Sequence, residues 1–167
     1  MKKSAHISIH PLSQSDEPFL WNMLYQAIFV PQGYPRPDPS IVKLPELAKY
    51  VQGWGLEHDS GFLAVDADTQ RPVGAVWLRL FTGAARGYGY IDDQTPELSI
   101  AILPEYRGCG VGTQLITHLL DTAAGKYHAV SLSVHQHNPA FKLYQRLGFE
   151  VVTMSRSSIV MKKVLKS

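Results

Sequence analysis

Hydrophobic and polar positions along the chain change period several times, and each change marks an element. His6 to His10 alternates, with Ile7 and Ile9 on one side, which predicts a short strand. From Phe19 the apolar residues come in pairs, Phe19-Leu20, Met23-Leu24 and Ala27-Ile28, the spacing of one helix face. Ser15-Asp16-Glu17-Pro18 in front of them supplies a cap, early acids and a first-turn proline, so a helix is predicted from there to near Phe29. Prolines at 31, 35, 37 and 39 exclude a helix or a central strand and leave Val30 to Pro39 as an extended loop. A second, short helix is predicted from Leu44 or Pro45 through Gln52, stopped by Gly53-Trp54-Gly55.

Gly61 to Ala67 and Pro72 to Phe81 read as two strands, joined by the turn-forming run Asp66-Ala67-Asp68-Thr69-Gln70. Thr82 to Thr95 is rich in glycine, carries Tyr88 and Tyr90, and reads as a loop placed to cover a cleft. Pro96 to Leu103 is strand-like and leads into Arg107-Gly108-Cys109-Gly110-Val111-Gly112. Helical spacing resumes at Thr113-Gln114-Leu115-Ile116 and runs to a stop at Gly125. Lys126 to Val134 returns as a strand, which makes a strand-helix-strand crossover and hence a parallel neighbour. Asn138-Pro139 opens a last helix and Gly148 closes it, before an antiparallel pair, Phe149 to Met154 and Ser158 to Val164. The order β-α-α-β-β-β-α-β-α-β-β predicts a mixed α/β sheet with helices on its faces, in one domain over residues 1–167.

A strand, a glycine-rich turn and a helix start gather backbone N–H groups at one point. Glycine permits positive φ and removes the Cβ atoms that would hold a ligand off, and the first helix amides sit at the positive end of the dipole. Such a turn suits phosphate. A P-loop needs Gly-Lys-Ser/Thr here, whereas Gly112 precedes Thr113 and Gln114. A dinucleotide turn needs G-x-G-x-x-G, whereas Gly108, Gly110 and Gly112 are spaced G-x-G-x-G.

Composition narrows the rest. The chain is 45% apolar with a net charge of +2 and mixed signs, so it carries no basic stripe for nucleic acid or a membrane surface. The amino terminus, Met1 to His6, lacks the apolar core of a signal peptide, which leads us to expect a cytoplasmic protein. The single cysteine, Cys109, excludes an internal disulfide and reads as a passive filler of the turn, since no Cys/His relay stands near it. His135 and His137 share a strand face but have no third ligand spelled beside them, so no metal is expected.

Arg107, Gly110 and Gly112 meet the Arg/Gln-x-x-Gly-x-Gly/Ala signature of the GNAT N-acetyltransferases. Asn138, Tyr144 and Leu147-Gly148-Phe149 meet the same family's second motif, in its order and at about its spacing. The chain thus resembles that superfamily, closely in its second half and by element order in its first. The resemblance implies the GNAT fold, an α/β (α+β) architecture with a mixed, mostly antiparallel central sheet and helices on both faces. It implies acetyl-CoA as co-substrate, with no metal. Ile102, Leu103, Arg107, Gly108, Cys109, Gly110, Val111, Gly112 and Thr113 would hold coenzyme A, with Asn138 and Tyr144 on the pantetheine side.

Acetyl transfer to an amine requires a neutral nucleophile and a proton for the departing thiolate. Deprotonating a lysine-like amine of pKa ~10.4 at pH 7 costs about 4.6 kcal/mol, against about 1.4 for an α-amine near ~8. The resemblance offers Glu97 as the base that relays that proton through water and Tyr144 as the general acid. Chemistry alone also allows Glu97 as a solvated strand-end carboxylate, Tyr144 as core packing and Asn138 as a helix cap. The implied function is acyl transfer from acetyl-CoA to a primary amine by direct attack in a ternary complex; a silent acyl-CoA-binding sensor is the alternative.

The acceptor site is expected in Val30 to Trp54 and Thr82 to Thr95, with Tyr34 and Tyr90 in contact with the acceptor. Few acids lie there, which favours a small amine, an amino acid or a peptide or protein amine over a polyamine. A homodimer is left open.

Overall fold

In the computed structural model, which describes residues 6–165, seven strands form one sheet in the order β1-β2-β3-β4-β5-β7-β6. These are β1 (Ile7–Pro11), β2 (Ser60–Asp66), β3 (Arg71–Arg79), β4 (Glu97–Ile102), β5 (Ala129–Val134), β6 (Glu150–Met154) and β7 (Ile159–Val164). Every neighbouring pair is antiparallel except β4 with β5, which the intervening helix makes parallel. The predicted mixed, mostly antiparallel sheet is therefore present. The amino-terminal stretch read for a leader lies outside the described residues, apart from His6.

Helix α1 (Glu17–Gln26) buries Leu20, Met23 and Leu24. It ends three residues before Phe29, after a 3-10 turn at Gln14–Asp16 in which the Asp16 carboxylate accepts the Ser13 N–H at 2.8 Å. The cap is thus built by Ser13 and Asp16, not by Ser15. Pro39 does not prolong the extended loop but opens a 3-10 turn, Pro39–Lys43, where the Asp38 side chain accepts the Ser40 N–H. Helix α2 shrinks to Pro45–Ala48, because the chain continues through single turns to Gln52.

Helix α3 (Val111–Ala123) buries Val111, Leu115, Ile116, Leu119, Leu120 and Ala123, a stripe that packs on β2, β3 and β4. The helix stops just before Gly125, as expected, though not through a left-handed glycine. The φ of Gly125 is ordinary, and the N–H groups of Lys126 and Tyr127 close the helix on the Ala123 carbonyl. Gly148, by contrast, ends helix α4 (Ala140–Arg146) at φ +96°, where glycine is favoured.

What positions the site is a break in the sheet. β4 and β5 are joined in the ladder at one place, Glu97 opposite Ser131, backed by a 3.0 Å bond from the Ser131 N–H to the Pro96 carbonyl. Beyond it β4 keeps its ladder with β3, and β5 keeps its ladder with β7. The two strands therefore separate toward their C-terminal ends, where the glycine turn follows one and Asn138 the other. An opening between parallel strands at their carboxyl ends is where open α/β sheets take ligands.

Candidate active site

Between β4 and the glycine run the chain makes a 3-10 turn, Pro104–Tyr106, that the spacing did not predict. Gly108 and Gly110 then lie at φ +72° and +84°, and Gly110 is the N-cap of α3. A Cβ on Gly110 would meet no atom within 4 Å, so open space lies over a backbone that side chains rarely adopt. The amides of Val111, Gly112 and Thr113 form the first turn of α3 and have no partner within the helix. An open concavity edged by free amides at a helix's positive end fits a pyrophosphate.

Arg107, although exposed, braces the turn. Its Nε donates to the Ile102 carbonyl at 2.9 Å, and its Nη2 reaches the carbonyl and side-chain oxygens of Gln26, both at 3.4 Å. The turn is thereby fixed to the last residue of β4 and the end of α1. Cys109, half-buried in the same turn, is in no disulfide, and its thiol points to the Arg107 carbonyl at 3.6 Å.

Glu97 is buried, at 4% exposure, which corrects the reading of a solvated strand-end acid. The Tyr50 hydroxyl donates to its Oε2 at 2.6 Å, while Oε1 accepts no hydrogen bond. Burial pushes the carboxyl up to about 7, against smaller downward pulls from the Tyr50 hydroxyl, the nearby Gly89 amide and the Lys49 ammonium. Across the ladder the Ser131 hydroxyl is also fully buried and also unpartnered. Two such orphaned polar atoms at the apex of the opening form a place for a bound water or a substrate's polar group.

The loop from Thr82 to Thr95 closes over this carboxylate. A Cβ on Gly87 would collide with Glu97 Oε1 and the Tyr50 hydroxyl, and one on Gly89 would come within 3.0 Å of Glu97 Cδ and 2.8 Å of the Leu132 carbonyl carbon. Both positions need glycine for close approach. The same Tyr50 hydroxyl accepts the Tyr88 N–H at 2.7 Å, tying the loop to the acid.

Tyr144 is 8% exposed, packs edge-on against Phe149 and has no hydrogen-bond partner among the described residues. Burial alone pushes its phenol up to about 12, which keeps it protonated and able to donate. Asn138 is used as a cap, its Oδ1 accepting the Ala140 N–H at 2.9 Å, so its amide nitrogen remains available to a ligand. The His135 and His137 rings lie 5.5 Å apart, with His135 against Phe29. No group of three or more His, Cys, Asp or Glu among the described residues is arranged to hold a metal.

The two tyrosines expected to meet the acceptor stand differently. Tyr34 is 70% exposed. Tyr90 donates to Asp93 at 2.5 Å and lies under the Arg86 guanidinium, so it is braced within the loop. Tyr50, inside the Val30 to Trp54 stretch expected to meet the acceptor, is instead buried as the partner of Glu97. The signal for that lies in Gly87-Tyr88-Gly89-Tyr90, where alternating glycines mark a backbone pressed against something.

A Haemophilus influenzae [ribosomal protein bS18]-alanine N-acetyltransferase is 35% identical over 66 residues, which are 39% of this chain and 45% of that protein. The mouse cysteine-rich protein 2-binding protein is 43% identical over 51 residues, 30% of this chain. The match covers only 6% of that mouse protein's length, so the chain corresponds to a small part of it.

Among solved structures, the ribosomal-protein-S18-alanine N-acetyltransferase of Escherichia coli superposes with a TM-score of 0.67 at 19% identity, over 97% of this chain and 96% of that one. The PaiA N-acetyltransferase of Thermoplasma acidophilum, in complex with coenzyme A, gives 0.68 at 20% identity, over 95% and 99%. The pattern of the acetyltransferase (GNAT) family matches residues 21–149, the glycine turn, the β4–β5 opening and both motifs included, and the chain belongs to that family.

Proposed function

We propose that the chain transfers an acetyl or other short acyl group from acetyl-CoA to a primary amine, by direct attack in a ternary complex. The observation that carries this reading is the buried carboxylate of Glu97, with one unpaired oxygen, at the apex of the opening whose other end is the glycine turn. From Glu97 to Ile102 is roughly 17 Å of extended strand, a span that a pantetheine arm bridges. The cofactor supplies an activated thioester; the chain supplies binding, orientation and proton handling.

The amides of Val111, Gly112 and Thr113 hold the pyrophosphate, and the Asn138 amide donates to the arm. Glu97, half-ionised near neutral pH, takes the ammonium proton of the acceptor, directly or through water beside Ser131. Tyr144, protonated throughout the working range, donates to the leaving sulfur. Tyr144→Phe is expected to lower turnover roughly ten- to a thousandfold with little change in coenzyme A affinity. Full turnover in that variant, under conditions where chemistry limits, would remove the acid role.

For the acceptor the reading favours a small amine, an amino acid or a peptide or protein amino group. Partial similarity to ribosomal-protein-alanine N-acetyltransferases is consistent with a peptide amine. Among the described residues no helix is long and apolar enough to cross a membrane, and the reading places the reaction in the cytoplasm, where acetyl-CoA is available. Free thiol released from acetyl-CoA across a broad amine panel tests the proposal. Release that depends on one acceptor class supports it, and coenzyme A binding without acceptor-dependent release would make the chain a sensor module instead.

Once an acceptor is found, Tyr34→Ala and Tyr90→Ala are expected to raise its KM while that of acetyl-CoA stays constant. Unchanged acceptor kinetics in both variants would take these loops out of the substrate site.

A further inference from the structure

We propose that Tyr50 is a positioning residue: its hydroxyl, bonded at once to Glu97 and to the Tyr88 backbone, fixes the carboxylate's orientation and makes its ionisation depend on the seating of the Thr82–Thr95 loop. The inference rests on the reading of Glu97 as the base.

The hydroxyl has one proton and two neighbours, and the structure assigns each a direction. It donates to Glu97 Oε2 at 2.6 Å and accepts the Tyr88 N–H at 2.7 Å. One oxygen of the acid is therefore anchored, and the other, Oε1, is the one left free for substrate or water. A donor bonded to the charged form favours that form, so Tyr50 counteracts the burial that drives Glu97 upward. The Tyr88 N–H, by bonding the same oxygen, strengthens the donation of its proton.

Tyr50 is held too firmly to be an incidental neighbour. Its carbonyl accepts the Trp77 indole N–H at 2.9 Å. On either side of it, Arg79 donates to the carbonyls of Lys49 at 2.9 Å and Gln52 at 2.7 Å, while pairing with the buried Asp59 at 2.8 Å. The ring packs edge-on against Phe81 and stacks parallel to Tyr88.

The charged and titratable groups around the carboxylate are few. Lys49 and Tyr50 come from the turn after α2, with the Lys49 ammonium bonded to the Arg86 carbonyl in the loop. Tyr88 comes from the loop, and the closed Arg79–Asp59 pair from the β3 side. β5 presents only the uncharged Ser131. Tyr50 is the one side chain among them that bonds Glu97 directly.

The test is a carbon-13 carboxylate titration of the ligand-free protein, wild type against Tyr50→Phe, beside the pH–rate profiles of both. Loss of the hydroxyl is expected to raise the Glu97 midpoint by about one pH unit. The acidic limb of kcat/KM should move up by the same amount, with turnover recovering at high pH and coenzyme A affinity unchanged. A purely structural role would lower the rate at every pH and leave the limb in place. An unmoved Glu97 midpoint in Tyr50→Phe overturns the proposal whatever the activity does. A midpoint that moves while the limb stays supports the coupling and removes Glu97 as the base, so the two failures are distinguishable. In the wild type, the Tyr50 ring resonance should titrate with the Glu97 midpoint, and a flat Tyr50 signal would also overturn the proposal, independently of how the variant folds.

Discussion

Glu97→Gln is expected to erase the acidic limb of the pH–rate profile and to lower turnover of an aliphatic amine at neutral pH by roughly 10²- to 10⁴-fold. The isosteric amide still accepts the Tyr50 proton but cannot take one from an ammonium. The loss should be smaller for an α-amine, which is partly neutral at pH 7 without help. A second reading of the same variant comes from stability. Burial lifts the carboxyl from about 4.5 to about 7, so between those values the folded state binds the extra proton and stability falls as pH rises. The fall is on the order of 3 kcal/mol and is complete above the upper value. Melting temperatures from pH 4.5 to 8 should therefore drop more steeply for the wild type than for Glu97→Gln. Parallel curves would show that Glu97 titrates as an ordinary surface acid.

Gly110→Val should reduce coenzyme A affinity by at least ~100-fold, measured by isothermal titration, while the sheet stays folded. At φ +84° a β-branched residue costs about 1–2 kcal/mol, which a domain of ordinary stability tolerates. No protein atom lies within 4 Å of the new Cβ, so the side chain fills only the space over the α3 amides. Gly125→Ala is the control, because that glycine has ordinary φ and open surroundings and should leave binding untouched. Undiminished affinity in Gly110→Val would take the turn out of the cofactor site.

The parts of this site that local chemistry dictates are readable along the chain. Positive φ at Gly110 and Gly148, the Asn138 cap and the parallel crossover are all signalled by residues within a few positions of where they act. The environment of Glu97 is not, because it is assembled from residues far apart. Tyr50 lies 47 positions before it, and Ser131 joins it only when β5 pairs beside β4. A carboxylate at a strand start has no local mark that distinguishes solvent from burial, and here the Gly87–Tyr90 loop decides it. The shortened α2 has a similar origin: Arg79 and Trp77 collect the carbonyls of Lys49, Tyr50 and Gln52, bonds that replace further helical turns.

Direct acyl transfer to an amine is tested most plainly by quenching a single turnover and weighing every species. The protein, acetyl-CoA and the accepting amine identified by the panel are mixed at comparable concentrations, and the protein, the amine and the free thiol are quantified together by mass spectrometry and thiol titration. The account predicts equal amounts of acylated amine and free thiol, formed together, with the mass of the protein unchanged at all times. A protein that gains the acyl group first, on Cys109 or elsewhere, or thiol released without acylated amine, would contradict it.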